Sequence, residues 1–305
     1  MKPVALLILG ALGVGGYILL QKSGTPAAEN LAQVTVQETS PAPTVPLPTP
    51  ITKTTPTYHL LTTTTSTPGA ELLKEVGSEH VDFTLALNRI DVKHIPKGAV
   101  LVIPDSFDDT DAYSPFPAEI SAAKEIPKLF MVSKEVQAFA AYENGARVRW
   151  GTVSTGKQAT PTPSRLYSTN WKGKLVTSTL EDAYQLPWYF NLDSMEGISM
   201  HQFDLPGYPA SHSCIRMAEY DAQWFYDWAQ QWILAPDGQT KLADGTPVIV
   251  FGEYAYGTTA PWKKLATDPQ ATTLSESDLN TVVSGYSAEI ANRLARRAEV
   301  LGTTQ

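Results

Sequence analysis

A mostly β fold with flanking helices is what the sequence predicts, on three observations. Short apolar runs of strand length recur between about Lys128 and Phe251, bounded by turn residues. Asn144-Gly145 sits between two such runs, 136–142 and 148–153, and both residues tolerate positive φ, which is the signal of a tight hairpin. A single strong helical pattern interrupts the strands. Tyr220, Trp224, Trp228 and Trp232 recur every four residues across 219–233, an aromatic stripe that predicts a helix docked on a sheet.

The elements follow in order. Residues 129–132 and 136–142 read as the first two strands and 148–153 as the return of the hairpin. Residues 175–179 and 248–251 supply further strands, with Asp237-Gly238 and Asp244-Gly245 marking turns. Beyond them, Leu279, Val283, Tyr286, Ile290 and Leu294 fall on one helical face. Arg293, Arg296 and Arg297 lie late in that pattern, where cations suit the negative end of a helix dipole. Residues 128–253 therefore form the main domain, and 254–305 a linker and C-terminal helix whose apolar face packs on that domain or on a partner, in-chain packing being the favoured reading.

The N-terminal part reads differently. Met1-Lys2 precede an apolar run over 4–20 broken only by glycines, then Gln21-Lys22, so 1–22 reads as a signal-anchor or a signal peptide. Either places the remainder outside the cytoplasm, in the periplasm or cell envelope, with the anchor holding it to the membrane. Pro, Thr, Ala and Gln dominate over 23–66, as in Pro41-Ala42-Pro43-Thr44, and large apolar groups are few, which predicts an extended tether. Residues 67–105 form a small unit. Leu72, Leu73 and Val76 give one helical stripe, Leu85, Leu87 and Ile90 a second, Pro96-Lys97-Gly98 a turn, and 100–104 a strand. This order resembles a degenerate LysM module, which implies peptidoglycan binding. A purely structural subdomain is the other reading.

The 305 residues allow one or two domains plus linkers, and an apolar fraction of 43% is enough to bury a core. The net charge of -8, with no Lys/Arg cluster, excludes nucleic acid as a partner. Cys214 is the one cysteine, so no internal disulfide forms.

The chemistry concentrates in 188–217. His201, His212 and Cys214 lie within fourteen residues. A cysteine that transfers acyl groups needs a base to take its proton and donors for the oxyanion. His201 fits the base. Cys214 lies shortly before the Trp-rich helix, whose N-terminus would lower a thiol pKa, and backbone N–H groups at Ser213 and Cys214 fit an oxyanion site. Two His and one Cys could also ligate zinc, but no second Cys pair, nearby third His or H-E-x-x-H motif accompanies them, so no metal is expected. The remaining histidines, His59, His80 and His94, lie in the tether or the small unit. A buried inert thiol with satisfied histidines is the bland alternative.

Ser211-His212-Ser213-Cys214-Ile215-Arg216-Met217 resembles the signature of the L,D-transpeptidase (YkuD-type) family. Gly197-Ile198-Ser199-Met200-His201 looks like the strand that carries the family's catalytic His. The hairpin around Asn144-Gly145, then Ser154-Thr155-Gly156 and Thr160-Pro161-Thr162-Pro163, look like the family's opening elements. The resemblance covers 129–251 and implies a β-sandwich-type catalytic domain with no cofactor. It implies Cys214 as nucleophile, His201 as base and His212 as a supporting residue, with Ser213, Ser211 and Arg216 in oxyanion or positioning roles. Trp188, Tyr189, Phe190 and Tyr208 are expected along the substrate cleft, with core packing an equal reading for the first three.

Two departures stand out. The spacer between His201 and Ser211 is short and built on Pro206-Gly207-Tyr208-Pro209, and Ser213 replaces the family's glycine. If position 213 needs positive φ, serine costs about 1 kcal/mol. The resemblance implies a peptidoglycan transpeptidase acting on stem peptides, with a stem amine, water or an envelope protein amine as acceptor. A catalytically inactive wall-binding protein and a carboxypeptidase or cysteine peptidase on stem peptides are the alternatives.

Overall fold

The structure, a computed structural model, describes residues 55–178 and 184–302. The expected signal-anchor at 1–22 and most of the expected tether lie outside the described residues. Among the described residues no helix is long and apolar enough to cross a membrane.

The first described elements correct the end of the tether. Tyr58–Thr62 form strand β1, which pairs antiparallel with β2 (Val100–Pro104), Leu60 opposite Val102. The Thr-rich stretch lacks a helical or alternating signal, and a two-stranded pair with a long intervening segment leaves no local mark. Between the strands lie α1 (Pro68–Val76) and α2 (Val81–Leu87). Leu72, Val76, Leu85, Ile95, Leu101 and Ile103 bury a small core. Asn88 ties α2 to β2 through three bonds. Its amide nitrogen donates to Thr84 O (2.9 Å) and Val102 O (2.8 Å), and its oxygen accepts from Val102 N–H (2.8 Å).

The main domain is one nine-stranded sheet. In chain order its strands are β3 (Leu129–Ser133), β4 (Ala138–Glu143), β5 (Ala146–Ser154), β6 (Arg165–Ser168), β7 (Lys172–Thr177), β8 (Gln185–Asp193), β9 (Ile198–Gln202), β10 (Ile215–Met217) and, after the short β11 (Ile233–Leu234) and β12 (Lys241–Ala243) pair, β13 (Pro247–Phe251). They hydrogen-bond in the order β6-β13-β3-β4-β5-β10-β9-β8-β7. The predicted hairpin is present, with Asn144 and Gly145 at φ 48° and 81°.

Alternation along β3 separates the two faces of the sheet. Phe130 and Val132 face a cluster with Phe139, Phe190, Met200, Ile215, Met217 and Phe225, and because β8 and β13 both enter it, the sheet curls around this core. Helix α3 (Glu219–Trp228) fills the curl with Ala222 and Phe225. Leu129 and Met131 face the opposite cluster, completed by Leu279, Val283 and Ile290.

Two helical expectations are corrected. Helix α3 stops at Trp228, because Ala229 turns extended (φ -77°, ψ 147°) and Gln230 O is taken by Thr246 N–H and Thr169 Oγ1. Trp232 is therefore off the helix. Its buried face is not the Trp stripe but Asp221, Ala222 and Phe225. Trp224 and Trp228 stack 5.1 Å apart on the flank, beneath the cations of Arg149 and Lys128. The C-terminal pattern is two helices, α4 (Glu276–Ser284) and α5 (Ser287–Gly302), broken at Gly285. Of the two readings for the apolar face, it packs on the main domain. The arginines sit in mid-helix and donate to the main domain instead of their own helix end: Arg293 to Ser168 Oγ, Arg296 to Leu242 O, and Arg297 to Gln231 O and Asp244 O.

Arg89 joins the small unit to the main domain. It is buried at 1% exposure with φ 57°. Its guanidinium donates to Ala86 O and Leu87 O at the end of α2 and across to Val136 O (2.8 Å). Burial pulls its pKa down to about 9. Thr152 Oγ1 returns a bond to Ala86 O (2.7 Å).

Candidate active site

Parallel pairing of β9 and β10 sets the site. Ile215 lies opposite Met200 and Arg216 opposite His201, which places Cys214 one step before β10 at the level of Ser199. The thiol is half-buried and its Sγ lies 3.2 Å from Ser199 Oγ and 3.6 Å from Gly197 O. Ser199 was not singled out from the sequence. A serine inside an apolar strand, two residues before the histidine, is the signal that could have found it.

His201 is buried at 4% exposure. Tyr189 stacks parallel to its ring at 6.4 Å and Phe203 meets it edge-on at 5.9 Å. Nδ1 lies 2.9 Å from Gln202 O. A carbonyl only accepts, so Nδ1 carries the proton and Nε2 keeps the lone pair. Burial first, and then the Arg216 cation, push the imidazole pKa down to about 4, against a raising contribution from Gln202 O. His201 is therefore neutral near pH 7, the form that can accept a proton.

His201, Cys214, His212, Ser211 and Arg216 line one cavity of about 310 Å³, with Phe203, Tyr184 and Leu186 as its apolar walls. Arg216 brings a cation to it, stacked 4.6 Å over Phe203 and donating to Asp204 O at 3.5 Å. His212 is exposed, and its Nε2 lies 2.9 Å from Lys157 Nζ, so this nitrogen accepts from the ammonium. Lys157 is a second residue that the sequence did not single out.

The loop before Cys214 is fastened by the 154–162 turn. Ser211 is buried, its Oγ donates to Cys214 O (2.5 Å), and its own carbonyl accepts from Lys157 N–H and Thr160 Oγ1. Thr162 Oγ1 donates to Ser213 O (2.9 Å) and accepts from Gly156 N–H (2.9 Å). Gly156 has no room for a side chain, since a Cβ there would lie 2.2 Å from Thr160 O and 2.5 Å from Thr162 N. Ser213 adopts φ 79°, the left-handed conformation that favours glycine. Its hydroxyl lies 3.3 Å from Thr160 O and so bonds to the turn.

Several placements differ from the sequence reading. Cys214 is not at the N-terminus of α3, because β10 intervenes and the helix begins at Glu219. The dipole falls off within the first turn and does not act on the thiol. Of the expected cleft residues, Phe190 is fully buried in the core, and Trp188, at φ 53°, packs on Tyr226 at 5.6 Å. Tyr189 is buried beside the site, stacked on the His201 ring and bonded to Ser199, and Tyr208 lines a different cavity, against the small unit. Bulky aromatics on β8 serve the curled core, and the cleft is walled instead by Phe203, Tyr184 and Leu186. Among the described residues no cluster of His, Cys, Asp and Glu is arranged to hold a metal ion.

Residues 127–250 match the family model of the L,D-transpeptidase catalytic domain, YkuD. No curated protein sequence matches the chain. Among solved structures the chain is similar to an L,D-transpeptidase from Mycobacterium smegmatis, at 18% identity over 41% of this chain and 59% of that one, with a TM-score of 0.32. It is similar to L,D-transpeptidase 3 from Mycobacterium tuberculosis in complex with a faropenem-derived adduct, at 21% identity over 41% and 60%, with a TM-score of 0.33. It is also similar to an L,D-transpeptidase (Yku) from Stackebrandtia nassauensis, at 20% identity over 63% and 78%, with a TM-score of 0.37. The match thus spans about three fifths of the mycobacterial chains.

Proposed function

We propose that this chain, whose residues 127–250 belong to the YkuD family of L,D-transpeptidase catalytic domains, is an extracytoplasmic peptidoglycan transpeptidase using Cys214 as its nucleophile. The observation that carries this reading is the shared cavity of Cys214, neutral His201 and Arg216. In the first step His201 Nε2 takes the thiol proton as Sγ attacks the carbonyl of the third residue of a stem tetrapeptide. Backbone N–H groups of Ser213 and Cys214 serve the oxyanion. The carbon–nitrogen bond to the terminal D-Ala breaks, and the imidazolium returns its proton to the leaving amine. In the second step an amine of another stem attacks the thioester, loses a proton to His201 and releases the thiol. Arg216 offers its cation to a substrate carboxylate.

The small unit adds wall binding to this reading, and the N-terminal segment membrane attachment. Water as acceptor in place of the amine gives carboxypeptidase activity from the same acyl-enzyme. The test is the intact mass of the full-length protein and of Cys214→Ala after incubation with a carbapenem and, separately, with a disaccharide-tetrapeptide. A stoichiometric adduct on wild type alone, with cross-linked dimer from the natural substrate, is expected. An unmodified wild type that still sediments with peptidoglycan would replace this reading with a binding protein.

A further inference from the structure

Parallel neighbours cannot be joined by a tight turn, so β9 and β10 need a crossover, which is usually a helix. Here the crossover is residues 203–214 with no helix in it, and its position depends on what grips it. Its second half is gripped by the main domain. Ser154 Oγ donates to Tyr208 O (2.8 Å), and Ala210 and Ser211 N–H donate to Thr155 O. Its first half is gripped by the small unit, and one residue dominates the grip. Asp91 N–H donates to Leu205 O (2.8 Å), and Asp91 Oδ2 accepts from Leu205 N–H (2.7 Å). The other carboxylate oxygen, Oδ1, is fixed by Lys93 N–H (2.9 Å), His94 N–H (3.2 Å) and His94 Nδ1 (2.8 Å). Beside it Ile90 bridges to Pro206, and Lys93 Nζ and His94 Nε2 lie 3.6 and 3.9 Å from the Asp204 carboxylate.

This grip lies one residue from the pocket wall. Asp204 O accepts from Arg216, and Phe203 both abuts His201 and underlies the Arg216 guanidinium. We propose that Asp91 is a positioning residue for the Cys214–His201 site, through which the small unit sets the wall of the catalytic pocket. The inference rests on the transpeptidase reading for its effect on turnover, but not for its effect on the loop. The small unit is then part of the catalytic apparatus, whatever else it binds.

The experiment compares full-length wild type with Asp91→Ala, Asp91→Asn and a control in the same unit, Glu75→Gln, whose side chain is exposed. Asp91→Asn conserves volume and one acceptor oxygen, so it reports even where Asp91→Ala folds poorly. In Asp91→Ala, exchange of the Leu205 amide is expected to quicken roughly tenfold as its acceptor is lost. The His201 ring, followed by NMR, is expected to titrate about one unit higher as Phe203 loosens over it. Carbapenem acylation of Cys214 is expected to slow roughly tenfold through displaced wall groups. Asp91→Asn should recover part of each effect, and Glu75→Gln should match wild type. Wild-type Leu205 exchange and His201 titration in both Asp91 variants would overturn the inference. A wild type that forms no adduct would overturn the transpeptidase reading instead, with exchange and titration still deciding the role of Asp91.

Discussion

His201 shows how a single burial decides chemistry. The ring is enclosed by Tyr189 and Phe203, and its Nδ1 is tied to Gln202 O. Its pKa falls to about 4 in the folded chain against an ordinary value of 6.5. The unfolded chain therefore binds more protons between these values, and the stability associated with neutral His201 is complete above pH 6.5 and lost as pH falls toward 4. The expected outcome is a wild type that loses about 2.5 kcal/mol relative to His201→Gln between pH 7 and pH 4.5. Denaturant unfolding of both proteins at the two pH values measures it. A stability gap that stays constant with pH would mean that the ring is not held neutral.

Ser213 shows what a sequence can and cannot say at this scale. The family's glycine posed the question of a left-handed φ without answering it, and the serine adopts 79°. The destination of the serine hydroxyl, on Thr160 O, depends on a turn fifty residues earlier and has no local signature. Cys214, His201, His212, Ser211 and Arg216 were legible as one site because four of them share a short segment. Phe203, Tyr184 and Leu186, which wall the cavity, and Lys157, which bonds to His212, were not, since each arrives through long-range pairing or through a loop whose path the sequence leaves open.

At the level of elements, α3 is held by more than its apolar face. Asp221 is 1% exposed, paired at 2.8 Å with Arg149 from β5, and its Oδ2 has no hydrogen-bond partner among the described residues. Burial pushes its pKa up to about 6, against the lowering pull of Arg149. A carboxyl raised this way stabilises the fold below its unfolded pKa and loses that contribution as pH climbs through 6. Arg149→Met strands the buried carboxylate and should cost about 3 kcal/mol at pH 8. At pH 5, where Asp221 is protonated in both proteins, the cost should shrink. Thermal melts at the two pH values test this, and a pH-independent difference would assign the effect to lost stacking on Tyr220 and Trp224. The sequence showed this helix through its aromatic period but misplaced its buried side, because the cations that cover Trp224 and Trp228 come from other elements.

For the whole molecule, the C-terminal helices belong to the main domain. Ile290 is 1% exposed within the cluster built on Leu129 and Met131. Ile290→Ala should cost about 3 kcal/mol by loss of transfer energy and creation of a cavity. Carbapenem acylation at 20 °C should be unchanged, since the site lies on other strands. A variant that melts like wild type would show the tail to be dispensable. Strand positions in this domain were legible wherever apolar runs were short and bounded by turns. The order β6-β13-β3-β4-β5-β10-β9-β8-β7 was not, because every non-sequential neighbour in it is decided by packing.

That order has a consequence for how the chain behaves among its own copies. The two outermost strands, β6 and β7, are consecutive in sequence and joined by residues 169–171 alone. Eight steps between nine flat strands would set them about 38 Å apart. The link reaches at most about 15 Å, so the rims of the sheet must meet. The link is held from both sides: Thr169 N–H donates to Thr246 O (3.0 Å), while Asn170 N–H donates to Asn191 O (2.8 Å) and Asn191 N–H to Trp171 O (2.9 Å), continuing the β7–β8 ladder. Rims drawn together at one end leave a shorter free edge as a template for an incoming strand than a flat sheet of the same strands would.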